Sequence, residues 1–224
     1  MSISVDTKHP ALSRGHSTDR QAVIDLYLET AFADVIRLPT PRELSPYVGL
    51  SLDFYFEDPS TEITVASCDG EVVGYSIFCA DPEAMNRWLA RRSFRVFIDV
   101  MGMLLSGRLS RIGWGFYFRR TLDTFLIMRG RRRGESGGLP HAHMNVREGF
   151  RTGAVALLLL NGIDDQCRRY GATAWLGEIN GTENTRRRAV ERLLGEVIDV
   201  RRNITHSWLT GRTVNRISVR RTLP

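Results

Sequence analysis

HAHMNVREGFRTGAVALLLLNGIDDQCRRY, residues 141 to 170, holds two periodicities separated by a glycine-bearing turn. Small or apolar Ala142, Met144 and Val146 alternate with polar His141, His143 and Asn145, so the first six residues read as a strand with two distinct faces. From Ala154 to Cys167 the chain is mostly apolar at helical spacing, and Tyr170-Gly171 supplies a C-terminal stop. Between them lies Arg151-Thr152-Gly153-Ala154-Val155-Ala156. The first turn of a helix leaves N–H groups unpaired at the positive end of its dipole, and small side chains there let an anion approach. The stretch is therefore expected to be a strand, a phosphate-binding turn and a helix.

Outward from this stretch, 224 residues with 42% hydrophobic and 25% charged side chains predict one globular domain over residues 1 to 224, with a substantial core. Cys68, Cys79 and Cys167 fall in apolar strand or helix patterns without C-x-x-C spacing, which predicts buried thiols of a cytoplasmic protein. The N-terminal residues lack the uninterrupted apolar run of a signal peptide, and other apolar windows are too short or too charged to cross a bilayer. A soluble protein, peripheral to a membrane at most, is expected. Net charge is +6, yet the twelve arginines between Asn86 and Arg133, set against Asp99 and Asp123, make that segment +10 and the remainder −4.

Ser2 to Thr7 reads as a first strand, and Thr18-Asp19 as the start of a helix with Val23, Leu26, Tyr27 and Ala31 on its buried face. Thr40 before Pro41, with Glu43 three residues on, predicts a capping box and a second helix towards Tyr55. Glu62 to Cys68 and Glu71 to Ala80 flank Asp69-Gly70, a dipeptide suited to a type I′ hairpin turn. Residues 83 to 137 then interrupt the strand pattern with a basic, amphipathic helical pair. Phe94, Phe97, Ile98, Met101, Leu104 and Leu105 repeat at helical spacing in the first helix, and Trp114, Phe118, Leu122, Phe125 and Leu126 in the second. A glycine-rich arginine linker leads to His141. Thr173 to Ile179 reads as a strand, Asn184 to Gly195 as a helix, and Val197 to Leu209 with Arg212 to Leu223 as a closing hairpin around Thr210-Gly211.

A strand, then R-x-x-G-x-G/A, then a helix resembles the acetyl-CoA pyrophosphate loop of the GNAT superfamily of N-acetyltransferases. Arg151 and Ala156 stand at matching positions, while Ala154 replaces the usual middle glycine and Gly153 lies one place earlier. Asn184 and Gly195 also match the family pattern N-x-x-A-x-x-x-Y-x-x-x-G, with Arg187 in place of its alanine and Glu191 in place of its tyrosine. The order of elements agrees along almost the whole chain outside residues 83 to 137. The resemblance implies a mixed α/β fold with a mostly antiparallel central sheet flanked by helices, and an inserted helical pair. It implies transfer of an acetyl group from acetyl-CoA, or another acyl group from its CoA, to an amine by direct attack. CoA would be held by Asn145, Val146, Arg147, Arg151, Thr152, Gly153, Ala154, Val155, Ala156, Asn184 and Arg187, with a backbone N–H near Val146 polarising the thioester carbonyl.

An alkylammonium has a pKa of roughly 10, so the acceptor needs a base or a proton path. His143 and His141 on the cleft face of the strand, Glu57 or Asp58 after the second helix, and Glu148 beside the turn are the candidates; no metal constellation is expected. Glu191 is expected to pair along its helix with Arg187 or Arg188. A small-molecule or lipid-linked amine is the expected acceptor. Residues 86 to 133 suit an anionic membrane surface or the acidic surface of an acyl-carrier protein, in which case the acyl chain would be longer. Nucleic acid is disfavoured because no recognisable binding module accompanies the arginines, and a homodimer stays open. The alternative reading is a GNAT-fold binding or membrane-surface protein with weakened catalysis, suggested by Ala154 and Glu191.

Overall fold

Seven strands form one sheet in the order β1-β2-β3-β4-β5-β7-β6 in the computed structural model, which describes residues 10–131, 138–151, 153–182, 185 and 187–223. The strands are β1 Ala11–Arg14, β2 Thr61–Cys68, β3 Glu71–Cys79, β4 His141–Val146, β5 Ala174–Thr182, β6 Glu196–Arg202 and β7 Val214–Thr222. The helices are α1 Arg20–Ala31, α2 Pro41–Glu57, α3 Pro82–Leu105, α4 Arg111–Arg131, α5 Ala154–Arg169, α6 Arg187–Leu194 and α7 Ile204–Thr210. The strand expected at Ser2 to Thr7 lies outside the described residues. All described pairings are antiparallel except β4 with β5, giving the mixed, mostly antiparallel sheet that was expected.

Local chemistry accounts for several element boundaries. Asp69 (φ 53°) and Gly70 (φ 80°) both take positive φ, as the type I′ turn between β2 and β3 requires. The Thr40 and Glu43 capping box is formed in both directions at the start of α2. Glu43 Oε1 also accepts the Ser110 N–H at 2.5 Å, and the Tyr117 hydroxyl donates to the Glu43 carbonyl at 2.6 Å, tying the start of α4 to the start of α2. Burial opposes ionisation of Glu43, but the Ser110 and Thr40 donors prevail and hold its pKa below the usual value.

The two faces of the sheet are covered differently. Val23, Leu26, Tyr47, Leu52, Tyr75, Ile77, Val96, Val100 and Phe116 join α1, α2, α3 and α4 to one face in a single core. On the other, Leu160, Ile163 and Cys167 of α5 and Val190 and Leu194 of α6 pack with Phe78, Ala142, Trp175 and Val219. Buried Asp164 fastens α5 to that layer, accepting from Trp175 Nε1 at 2.8 Å and from the Arg221 guanidinium at 2.8 to 3.0 Å. The three cysteines are buried free thiols; burial raises the Cys79 pKa to about 11, far from a reactive thiolate.

The closing segment differs from the expected hairpin. Val197 to Leu209 splits into β6 and the short helix α7, because the Asn203 side chain accepts the His206 N–H at 3.0 Å and Gly211 (φ 70°) provides a left-handed cap. Asp123 on α4 completes the start of α7, accepting from Ile204 N, Thr205 N and Thr205 Oγ1 at 2.9, 2.9 and 2.5 Å. The helix pair at 82 to 131 forms as expected, and the structure shows which side of α3 turns inward. Val96 and Val100 are buried on α3, while Phe94, Phe97, Ile98 and Leu105 are exposed.

Candidate active site

β4 and β5 are hydrogen-bonded neighbours only at their start. Their parallel register holds at His141 with Leu176 and Ala142 with Gly177, and goes no further. Beyond that point β4 stays with β3 through Val146 opposite Gly74, and the Arg147 N–H donates to the Val73 carbonyl at 2.9 Å. Strand alternation therefore turns the odd-numbered N–H groups of β4 to β3 and those of Met144 and Val146 towards the opening beside β5. The result is a cleft in the sheet, flanked on one side by backbone donors.

At the far end of β4 the expected turn is built as the small residues dictate. Gly153 takes φ 91°, a backbone region that disfavours side chains, and a Cβ built on it would meet nothing within 4 Å. α5 begins at Ala154, and the Leu157 N–H closes its first turn on the Gly153 carbonyl at 2.9 Å. The N–H groups of Gly153, Ala154, Val155 and Ala156 thus lie in the unpaired first turn of a sixteen-residue helix. Arg151 steadies the turn, its Nε donating to the Val146 carbonyl at 3.1 Å. Thr152, and Asn184 with its expected contact, lie outside the described residues.

On the face covered by α1 to α4, His141, His143 and Asn145 project from β4 beside Leu176 and Glu178 of β5. His143 is half-buried and bonds the Glu178 backbone across the parting strands; burial lowers its pKa below 6.5, against the opposing pull of Glu178. The Glu178 carboxylate reaches Arg216 Nε at 3.5 Å. His141 Nδ1 lies 3.3 Å from the Tyr55 hydroxyl. Asn145 Nδ2 donates to the buried Tyr75 hydroxyl at 2.6 Å, which commits that side chain to the α1 face.

A cavity of about 150 Å³ lies over the paired starts of β4 and β5, its lining including His141 but not His143. His141, Leu176, Gly177 and Glu178 form its floor, Ser218, Arg216 and Arg201 extend it across β7 and β6, and Met85 with Leu126 and Ile127 of the helix pair roofs it. Behind it Arg120 lies over the Tyr47 ring at 5.2 Å, and the Tyr27 and Tyr47 hydroxyls are 3.1 Å apart. Burial opposes ionisation of Tyr47, yet Arg120 and the hydroxyl neighbours outweigh it and draw its pKa below 10. Asp199 is paired with Arg201 at 2.7 Å.

The remaining candidates fall elsewhere. Glu57 and Glu148 are exposed and do not line the cavity, and Asp58 is held in a turn by the Ser60 N–H and hydroxyl at 2.9 and 2.6 Å. Arg147 is bound by Glu29 at 3.2 Å and by Glu71. Glu191 pairs with Arg187 at 2.7 Å, the helix-surface arrangement that was expected. Glu178, Arg120 and Arg216 were not singled out from the sequence. The one signal for Glu178 was a carboxylate within the apolar strand pattern at Thr173 to Ile179. Among the described residues no group of three or more His, Cys, Asp or Glu side chains is arranged to hold a metal ion.

No protein-family model matches the sequence, and neither does any curated protein. Solved structures do match, over nearly the whole chain. An agmatine N-acetyltransferase superposes with a TM-score of 0.55 at 13% identity, covering 95% of this chain and 100% of that one. A GNAT superfamily phosphinothricin acetyltransferase from Sinorhizobium meliloti, solved in complex with acetyl-CoA, gives 0.51 at 14% identity, covering 96% and 88%. A ribosomal-protein-alanine N-acetyltransferase from Brucella melitensis gives 0.51 at 13%, covering 95% and 99%. With its mostly antiparallel sheet, flanking helices and parted central strands, the chain has the fold of the GNAT superfamily.

Proposed function

We propose that the protein is an acyl-CoA-dependent N-acyltransferase that moves an acetyl group from acetyl-CoA to an amine. The observation that carries this reading is the opening between β4 and β5, which begins beyond Ala142 and Gly177, beside His143 and Glu178, next to a cavity lined by His141 and Glu178. The residues present fit the co-substrate. The turn headed by Gly153 offers unpaired N–H groups flanked by small Ala154 and Ala156, as a pyrophosphate needs. Met144 and Val146 turn N–H groups to the cleft, as an extended amide-bearing chain needs. Acetyl-CoA would supply an activated acyl group, and the Val146 N–H would be the donor available to its carbonyl.

The acceptor amine enters from the cavity and must be neutral to attack. His143 is the base that the geometry favours. With one ring nitrogen donating to the Glu178 carbonyl, the neutral imidazole presents its other nitrogen as a proton acceptor, and its lowered pKa keeps it neutral at pH 7. His141, which lies against the Tyr55 hydroxyl, lines the cavity from which the acceptor would approach. Glu191, held by Arg187, offers no acid to the departing thiolate. A thiol has a pKa of roughly 8.5, so that loss slows transfer without abolishing it.

Turnover tests the reading. CoA release from acetyl-CoA across a panel of primary amines is expected to be saturable with at least one of them, and His143→Gln should lower kcat about 10²- to 10⁴-fold. Undiminished turnover in His143→Gln would remove that residue as base. Acetyl-CoA binding with no turnover on any amine would favour the reading in which the fold binds CoA without catalysis.

A further inference from the structure

We propose that α3 and α4 dock the protein on an anionic lipid surface. Phe94, Phe97, Ile98 and Leu105 on α3, and Trp114, Phe118 and Phe125 on α4, have between 46 and 83% of their surface exposed. Their spacing places each set on one side of its helix, opposite the buried Val96 and Val100 of α3 and the buried Phe116 and Asp123 of α4. A lone exposed apolar residue is ordinary. Seven on consecutive helices, five of them aromatic, form a surface that water leaves unsatisfied.

The charges around it point to the occupant. Arg91 and Arg95 lie at the N-terminal edge of the α3 stripe and Arg108 and Arg111 beyond its C-terminal end; among the described residues none of the four has an ion-pair partner. Arg87 is paired with Glu83 and Asp81 and Arg92 with Asp53, so the carboxylates close at hand are already engaged, and Asp99 is the exposed exception on α3. A second copy docked stripe to stripe, in either direction, would set these cations against one another. Anionic headgroups pair with them instead, while the acyl boundary receives the aromatic and aliphatic side chains. No described helix is long and apolar enough to cross a membrane, so the pair would lie on the surface. This inference does not rest on acyl transfer.

The test is flotation of the full-length protein with vesicles of phosphatidylcholine alone and of phosphatidylcholine mixed with phosphatidylglycerol. Binding is expected on the mixed vesicles, weakening as salt rises. The double variant Trp114→Ser with Phe118→Ser should bind about tenfold less or worse, and Arg91→Gln with Arg95→Gln roughly fivefold less per charge. Cooperative unfolding of each variant establishes that it is folded. Failure of the parent protein to float with the mixed vesicles would overturn the proposal. So would equal binding by the folded Trp114/Phe118 variant, or a parent dimer that this variant dissociates, which would make a second copy the occupant.

Discussion

His143 stands where two strands part, and its environment sets two pH dependences with the same sign. Burial lowers its pKa below 6.5, so as pH falls the base form persists past the point at which a free imidazole is half protonated. The acid limb of kcat/KM is therefore predicted below pH 6.5; a limb at or above that value would contradict the assignment. His206, stacked near Phe32 and hydrogen-bonded to the Ala31 carbonyl at 2.7 Å, is likewise lowered, chiefly by burial. Below pH 6.5 the unfolded chain binds more protons than the folded one at both sites, so stability present above 6.5 is lost as pH falls towards the folded pKa values. A melting series from pH 7.5 down to 5.5 should show the midpoint falling, less so in His143→Gln. At the turn, Ala154→Gly should tighten CoA binding if the alanine methyl limits approach to the pyrophosphate; an unchanged dissociation constant would place that methyl away from the ligand. The common strand face of the two histidines and the turn at Gly153 were legible in sequence because alternation and a glycine before an apolar helix are local signals. Glu178 was not, since its meeting with His143 depends on parallel pairing between segments more than thirty residues apart.

At the scale of elements, capping chemistry decided what hydrophobic alternation could not. Thr40 with Glu43 and Asp69-Gly70 were readable because each device is complete within four residues. α7 was misread as strand because half of its N-terminal cap comes from Asp123, far off in the chain, while Thr205, Ser207 and Leu209 alternate as a strand would. Asp123→Ala should then cost about 2 to 4 kcal/mol, since it leaves a buried and a part-buried backbone donor and a buried hydroxyl without their acceptor. Chemical denaturation measures it, and a loss under half a kcal/mol would show that α7 caps itself. α3 teaches a complementary lesson. Its period was legible and its inward side stayed open, because Val96 and Val100 pack into the core alongside α2 while larger Phe94 and Phe97 stay out, a choice that hydrophobicity alone does not make.

For the whole molecule, the order of elements showed the fold, whereas the cavity emerged only from the sheet's crossover order. β4, β5, β7 and β6 bring His141, Glu178, Arg216 and Arg201 onto one floor, and α3 with α4 closes it from above. On the proposed reading, the opening between β4 and β5 and the turn at Gly153 together hold CoA. Thermal unfolding of the full-length protein over a titration of acetyl-CoA tests it most directly. Saturable stabilisation is predicted, about 2.7 kcal/mol at a hundredfold excess over Kd, which for a chain of this size raises the midpoint by roughly 5 to 11 °C. No shift at millimolar acetyl-CoA, nor with any longer acyl-CoA, would contradict it.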